Sequence, residues 1–232
     1  MLKPLGLEVV IQPAFSFSAV DAQAEQPGEL AGVLTAGAND LVLFTSPRSV
    51  KYGLPQVPSS LLSSTRVAAI GPSTARALNA AGIRVDTQPG RGFTSEDLLE
   101  TLAAEAGRPG PRNAFILTAP GGRKKLAKGL GQLGWDTRKL MVYRSDPEPL
   151  NRSALDSLHG ASGILSVWTS ANAMKALSQR VPPKAWFRIC EGEWLVISER
   201  LKRLARAYAP SEVHLSGAPD NMAIFSAIRN LA

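Results

Sequence analysis

The chain has 232 residues, which allows one large or two small domains, and its 44% hydrophobic content is ordinary for a globular protein; its net charge is +7. No apolar run approaches the roughly 20 residues that a membrane-spanning helix needs, and a single cysteine excludes an internal disulfide. The basic clusters are short and lack interleaved aromatic residues. The favoured explanation of these clusters is a solvated surface, followed by a binding site for an acidic small ligand and then by one for nucleic acid. With no secretory pattern at the N-terminus, we expect a cytoplasmic protein that binds neither membranes nor nucleic acid.

Short apolar segments rich in valine and isoleucine alternate with helical patterns along the chain. The predicted strands are Glu8–Gln12, Leu41–Thr45, Arg66–Ile70, Arg84–Thr87, Ala114–Thr118, Lys139–Tyr143, Gly163–Trp168, Phe187–Ile189, Trp194–Ile197 and Glu212–Leu215. The predicted helices are Ser73–Ala81, Ser95–Ala106, Arg123–Leu133, Ser153–Leu158, Ala171–Gln179, Glu199–Ala207 and Asn221–Leu231. This alternation predicts an α/β protein with doubly wound parallel sheets.

The two halves of the chain have similar patterns. Leu41–Phe44 ends at Thr45-Ser46 before a helical pattern, and Ile164–Trp168 ends at Thr169-Ser170 in the same way. A repeat of about half the chain is too long for a solenoid and indicates two similar domains. We expect a ligand to bind in a cleft between them.

Two proline-interrupted segments, Gln12–Ser18 and Tyr143–Pro149, are typical of extended crossings between domains. They predict an outer domain formed by residues 1–12 and 147–232, an inserted domain at residues 21–142, and linkers at 13–20 and 143–146. The outer domain then begins with the single strand Glu8–Gln12. We therefore expect the first strand-helix unit of its sheet to be missing.

Hydroxyl and glycine residues follow several of the predicted strands. In an open parallel sheet, ligands bind at the carboxyl ends of the strands, and helix N-termini there favour anions. The candidate binding residues are Thr45, Ser46, Ser73, Thr74, Arg123, Thr169, Ser170 and Ser198. Taken singly, each hydroxyl is better explained as a helix cap; together in one cleft they would bind carboxylates without a metal.

Recognised catalytic sets are absent from the sequence. Neither His159 nor His214 has a second ligand at zinc spacing, and no nucleophile elbow or phosphate-binding loop occurs. Cys190 is expected to be a small buried strand residue rather than a nucleophile. Tyr143, at a crossing, is either a weak acid or an amphipathic residue that seals the domain interface.

Seven segments in chain order resemble the uroporphyrinogen-III synthase family. They are Phe44–Val50, Ile70–Leu78, Phe93–Leu99, Gly121–Arg123, Val142–Arg144, Thr169–Ala173 and Val196–Leu201. Each segment is weak alone, but their order over most of the chain is fairly specific. The resemblance implies two flavodoxin-like domains joined by a two-stranded linker, in agreement with the predicted insertion.

The resemblance also implies a function. It implies a cofactor-free and metal-free cytoplasmic lyase of tetrapyrrole (haem) biosynthesis, a monomer that closes the linear tetrapyrrole hydroxymethylbilane to uroporphyrinogen III. Tyr143 matches the family's conserved tyrosine and would donate the proton, and the candidate residues above would bind the substrate's carboxylates. One departure is that family members begin with a strand and helix carrying an arginine-proline turn, whereas this chain begins after it, at Leu2–Gly6. The alternative is therefore a shortened, non-catalytic synthase-like protein that binds an acidic small molecule.

Overall fold

A computed structural model describes residues 5–90, 94–104, 112–122, 124–218 and 220–231. The chain forms two compact units, Phe17–Ser145 (the inserted unit) and Met1–Ser16 with Asp146–Ala232 (the outer unit). The strands are β1 Phe15–Ala19, β2 Leu41–Phe44, β3 Arg66–Ala69, β4 Asn113–Thr118, β5 Asp136–Met141, β6 Tyr143–Pro147, β7 Leu165–Trp168, β8 Glu193–Val196 and β9 Glu212–Leu215. The α-helices are α1 Ala22–Glu25, α2 Pro27–Leu34, α3 Pro47–Gly53, α4 Ser59–Ser64, α5 Pro72–Ala80, α6 Ser95–Ala104, α7 Lys124–Gln132, α8 Arg152–Gly160, α9 Ala171–Arg180, α10 Pro183–Glu191, α11 Glu199–Ala205 and α12 Asn221–Leu231.

The inserted unit contains a four-stranded sheet in the order β3-β2-β4-β5, and every pair is parallel. All four residues of β2 are buried, with Leu41 and Leu43 packed in the cluster of α6 and α7, and Val42 and Phe44 in the cluster of α2, α3 and α5. Helices on both faces explain why this strand is a continuous apolar run rather than an alternating one. The predicted strand Arg84–Thr87 is reduced to one parallel bridge, between Thr87 and Ala68.

Two close contacts fix the inserted unit around this sheet. A Cβ atom on Gly53 would lie 2.7 Å from Cδ2 of Leu117, so helix α3 packs directly against β4 because residue 53 lacks a side chain. At the edge of the sheet, the buried amide of Gln26 donates to the carbonyl oxygen of Met141 at 2.8 Å and accepts from its N–H at 2.9 Å. One side chain thereby makes both hydrogen bonds that a neighbouring strand would make at that residue.

The outer unit contains a three-stranded parallel sheet in the order β7-β8-β9. One face packs against helices α8 to α11 around Trp168, Trp186 and Trp194, whose ring centroids lie 5.0–6.0 Å apart. Among the described residues, no helix has the length and apolar character that a membrane span requires.

Two strand predictions for the outer unit are wrong. Glu8–Gln12 is irregular and largely exposed, with Ile11 71% accessible, because no described strand pairs with it. Its polar side chains bond to loop and helix groups instead; Glu8, for example, accepts from Ser157 Oγ. Phe187–Ile189 lies in helix α10, where Ala185 and Ile189 face the core and Phe187 is 63% exposed. Side chains two residues apart lie on the same face of a strand but on different faces of a helix, and Phe187 and Ile189 lie on different faces here. Two apolar residues at this spacing had suggested a strand.

The two crossing segments form a ribbon, because β1 pairs with β6. The N–H of Glu148 donates to the Ala14 carbonyl and the N–H of Val20 to the Val142 carbonyl, both at 3.1 Å, so the strands run antiparallel. The extended, proline-marked segments of the sequence are therefore strands that pair with each other.

Gly192→Ala should destabilise the outer unit. A Cβ atom there would lie 2.3 Å from the carbonyl oxygen of Ile164, and backbone must move to relieve the contact. We expect a loss of about 1–3 kcal/mol, as for overpacked sites. The measurement is urea unfolding followed by tryptophan fluorescence.

Gly131→Ala is the matched control, since nothing lies within 4 Å of its added Cβ and the residue is in helix α7. It should be neutral or stabilising by up to about 1 kcal/mol. Equal stability of the two variants would contradict the close contact at Gly192.

Candidate active site

The parallel register brings the carboxyl ends of the inserted unit's strands to one edge. Phe44 of β2 lies beside Ala69 of β3 and Leu117 of β4, and Leu117 lies beside Leu140 of β5. The N–H of Val142 extends the β5 pairing by donating to the Thr118 carbonyl at 2.9 Å. Residues that follow these strands therefore converge, which is where open parallel sheets bind ligands.

Ser46 and Tyr143 meet at this edge. The Oγ atom of Ser46 accepts from the N–H of Ser49 at 3.0 Å, and Ser49 Oγ accepts from the N–H of Ser46 at 3.1 Å, which forms a capping box at the start of α3. The hydroxyl of Tyr143, which is half-buried, lies 3.3 Å from Ser46 Oγ. The cap thus holds a hydroxyl against a phenol, a potential proton donor.

The ring of Tyr143 is held by two aromatic neighbours. It stacks on Tyr52 of α3, with ring centroids 5.7 Å apart and planes at 25°, and it lies 6.2 Å from the ring of Phe17 on β1. The Tyr52 hydroxyl donates to the Phe17 carbonyl at 2.7 Å, which fixes Tyr52 in turn. Sequence reasoning missed both residues. The alternation Phe15-Ser16-Phe17-Ser18, typical of a strand with one apolar face, was the available signal.

The other candidates of the inserted unit have different environments. Thr45 donates both its N–H and its hydroxyl to the Leu117 carbonyl, at 3.3 and 2.9 Å. Ser73 is exposed in the first turn of α5, whose N-cap is Gly71. Thr74 is only 1% exposed, its N–H donates to the Gly71 carbonyl, and its hydroxyl has no partner among the described residues. Arg123 lies outside the described residues.

The outer unit has a similar edge. Trp168, Val196 and Leu215 end the three strands in register. Ser170 caps α9 by accepting from the N–H of Ala173 at 3.4 Å, and Ser198 caps α11 by accepting from the N–H of Leu201 at 3.3 Å. Thr169, beside Ser170, is exposed. The serines predicted here are thus helix caps. The first-turn backbone groups of the helices that they cap face the end of the sheet.

The amino ends of the strands, at the opposite edge of each sheet, carry pairs of charged or titratable side chains. A cavity of about 530 Å³ is lined by Arg84 and Asp86, whose side chains form an ion pair at 2.6 Å. In the outer unit, Nε2 of His214 lies 2.6 Å from the Glu193 carboxylate and 3.8 Å from that of Glu212. Both arrangements are accounted for by pairing within the chain.

Cys190 lies in helix α10, not in the strand that was predicted. Burial raises the pKa of its thiol above the ordinary value. A raised pKa reduces the thiolate fraction at neutral pH, so this cysteine lacks the activation that a nucleophile needs.

Comparisons with known proteins point to one family. The family model described as uroporphyrinogen-III synthase HemD matches residues 1–213. The fold matches a mutant uroporphyrinogen III synthase from Thermus thermophilus with a TM-score of 0.66 and 18% identity, over 99% of this chain and 92% of that one. It also matches the uroporphyrinogen-III synthetase of Helicobacter pylori, with a TM-score of 0.63 and 16% identity, over 94% and 91%. No curated protein sequence was found to match.

Ser46→Ala should destabilise the inserted unit, because it removes the acceptor of the Ser49 N–H in the capping box. We expect a loss of about 0.5–2 kcal/mol. Ser73→Ala, which changes an exposed hydroxyl outside any cap bond, should stay within about 0.5 kcal/mol of wild type. Thermal unfolding measures both; a harmless Ser46→Ala would mean that the capping box contributes nothing to stability.

Proposed function

This chain belongs to the uroporphyrinogen-III synthase family, and on that premise we propose that it closes hydroxymethylbilane to uroporphyrinogen III. Water leaves the terminal hydroxymethyl group, the last pyrrole ring is inverted through a spiro intermediate, and the macrocycle closes. The observation that carries the proposal at the level of residues is the phenol of Tyr143, held beside Ser46 at the carboxyl edge of a parallel sheet.

The proposed role of Tyr143 is to donate a proton to the departing hydroxide. The carbon–oxygen bond breaks to leave a cation stabilised by the pyrrole ring, and the phenol proton completes the leaving water molecule. Stacking on Tyr52 and the contact with Phe17 restrict the phenol ring. A weak acid is sufficient, because stabilisation of the cation already lowers the barrier to departure.

The proposed binding groups hold the substrate's acetate and propionate arms. They are Thr45, Ser46, Ser73, Thr74, Arg123, Thr169, Ser170 and Ser198. The capped starts of α3, α9 and α11 support this proposal, because N-terminal N–H groups and the helix dipole attract carboxylates. Thr74 would need a local rearrangement before its buried hydroxyl could reach a ligand.

The main task of the enzyme is positioning. Because the cation is reactive, a flexible chain can also close without inversion, and the protein must favour one ring closure over the other. Several weak carboxylate contacts suit that task better than one strong catalytic group. We further propose that the protein acts as a monomer in the cytoplasm, the state and location that accompany the family resemblance.

Wild-type protein supplied with hydroxymethylbilane should produce the type III isomer faster than the type I isomer forms spontaneously. Chromatographic separation of the oxidised isomers measures both products. If a folded sample yields only type I while it still binds hydroxymethylbilane, the protein is the non-catalytic synthase-like binder considered above.

Tyr143→Phe removes the hydroxyl and keeps the stacked ring. The turnover number should fall by about 10- to 1000-fold, the lower figure applying if water replaces the phenol as donor. Stability should change by about 1 kcal/mol or less, since the hydroxyl is only partly buried.

Tyr208→Phe is the control for Tyr143→Phe. Tyr208 belongs to the outer unit, where its ring packs against those of Trp186 and Trp194. Loss of its hydroxyl should leave turnover within about twofold of wild type. If Tyr143→Phe also retains wild-type turnover, Tyr143 is a packing residue and catalysis depends on positioning alone.

A further inference from the structure

Arg48 is a cation placed beside the Ser46–Tyr143 pair. It is the second residue of α3, two positions after Ser46, and it is exposed. Its guanidinium carbon lies 3.8 Å from the centroid of the Phe17 ring. A guanidinium against an aromatic face is held by cation–π attraction, and this contact uses none of its five N–H donors.

The donors of Arg48 have no acceptor within the described part of the chain. No hydrogen bond or ion pair involving its guanidinium occurs there, whereas Arg84, Arg144 and Arg188 each pair with a carboxylate. An arginine that lies on an aromatic ring and has no carboxylate partner among the described residues can bind an external anion. Its planar fork matches a carboxylate in bidentate fashion.

The position of Arg48 relates such an anion to the proton donor. Phe17, on which the guanidinium lies, also contacts the Tyr143 ring at 6.2 Å, and Ser46 contacts the Tyr143 hydroxyl. A carboxylate on Arg48 would therefore be held within the same cluster as the phenol. The carboxylate arms of the linear tetrapyrrole are attached directly to its pyrrole rings, so binding one arm places one ring.

We infer that Arg48, supported by Phe17, binds a carboxylate arm of the substrate and thereby positions the reacting ring beside Tyr143. The inference rests on the proposed function and adds a residue to it. The interaction is made before and during the reaction, so it contributes mainly to substrate binding and only secondarily to the chemical step.

Steady-state kinetics with hydroxymethylbilane test this role. Arg48→Gln should raise KM by about 10- to 100-fold, the range expected for losing hydrogen bonds to a charged group, and should change kcat by less than about threefold. Arg48→Lys keeps the charge but loses the bidentate fork, so its KM should fall between those of wild type and Arg48→Gln. Added salt should raise KM more steeply for wild type than for Arg48→Gln.

Arg84→Gln is the matched control. It removes the same charge from the same unit, at the amino end of the sheet, from a side chain that is 79% exposed. Its KM should stay near that of wild type, so a rise in both variants would show an effect of net charge and overturn the role of Arg48. An unchanged KM in folded Arg48→Gln, with active wild type, would overturn the inference alone. Inactive wild type would overturn the proposed function and the inference together.

Discussion

The candidate site depends on one strand, β2, being buried on both faces between two parallel neighbours. Its side chains alternate between two helical layers, and its backbone groups pair with β3 and β4. Parallel pairing aligns the carboxyl ends of the strands, so the chain leaves each strand on the same side of the sheet. Ser46 and Tyr143 are 97 residues apart in sequence, and this alignment is what makes them neighbours.

The serines at these edges serve the helices first. Ser46, Ser170 and Ser198 each accept from an N–H three residues later, so that donor is no longer available to a ligand. An anion at these helix starts must therefore use the remaining first-turn N–H groups, the helix dipole and neighbouring side chains. Under the proposed function, an arginine and a phenol near such a cap would therefore add more to recognition than a further hydroxyl.

Secondary structure was predictable from the sequence where one local pattern, such as an apolar run or a helix cap, determined it. The buried parallel strands were predictable because they are short, continuous apolar runs, and most of their helices followed from spacing and caps such as Ser46 before Pro47. Glu8–Gln12 failed because an apolar run forms a strand only if another strand pairs with it, which composition does not reveal. The cluster around Tyr143 was only partly predictable, since Phe17 and Tyr52 reach it by packing that depends on the fold of residues far apart in sequence.

The hydrogen bonds of Gln26 have a consequence for how the protein behaves at high concentration. An edge strand such as β5 presents unpaired N–H and carbonyl groups, and another chain can pair with them and start edge-to-edge aggregation. The Gln26 amide bonds to both the N–H and the carbonyl oxygen of Met141. An incoming strand would therefore find these two backbone groups already bonded and could not form an unbroken row of hydrogen bonds along β5. A residue that stabilises the folded unit therefore also makes this part of the β5 edge a poor template for a second chain.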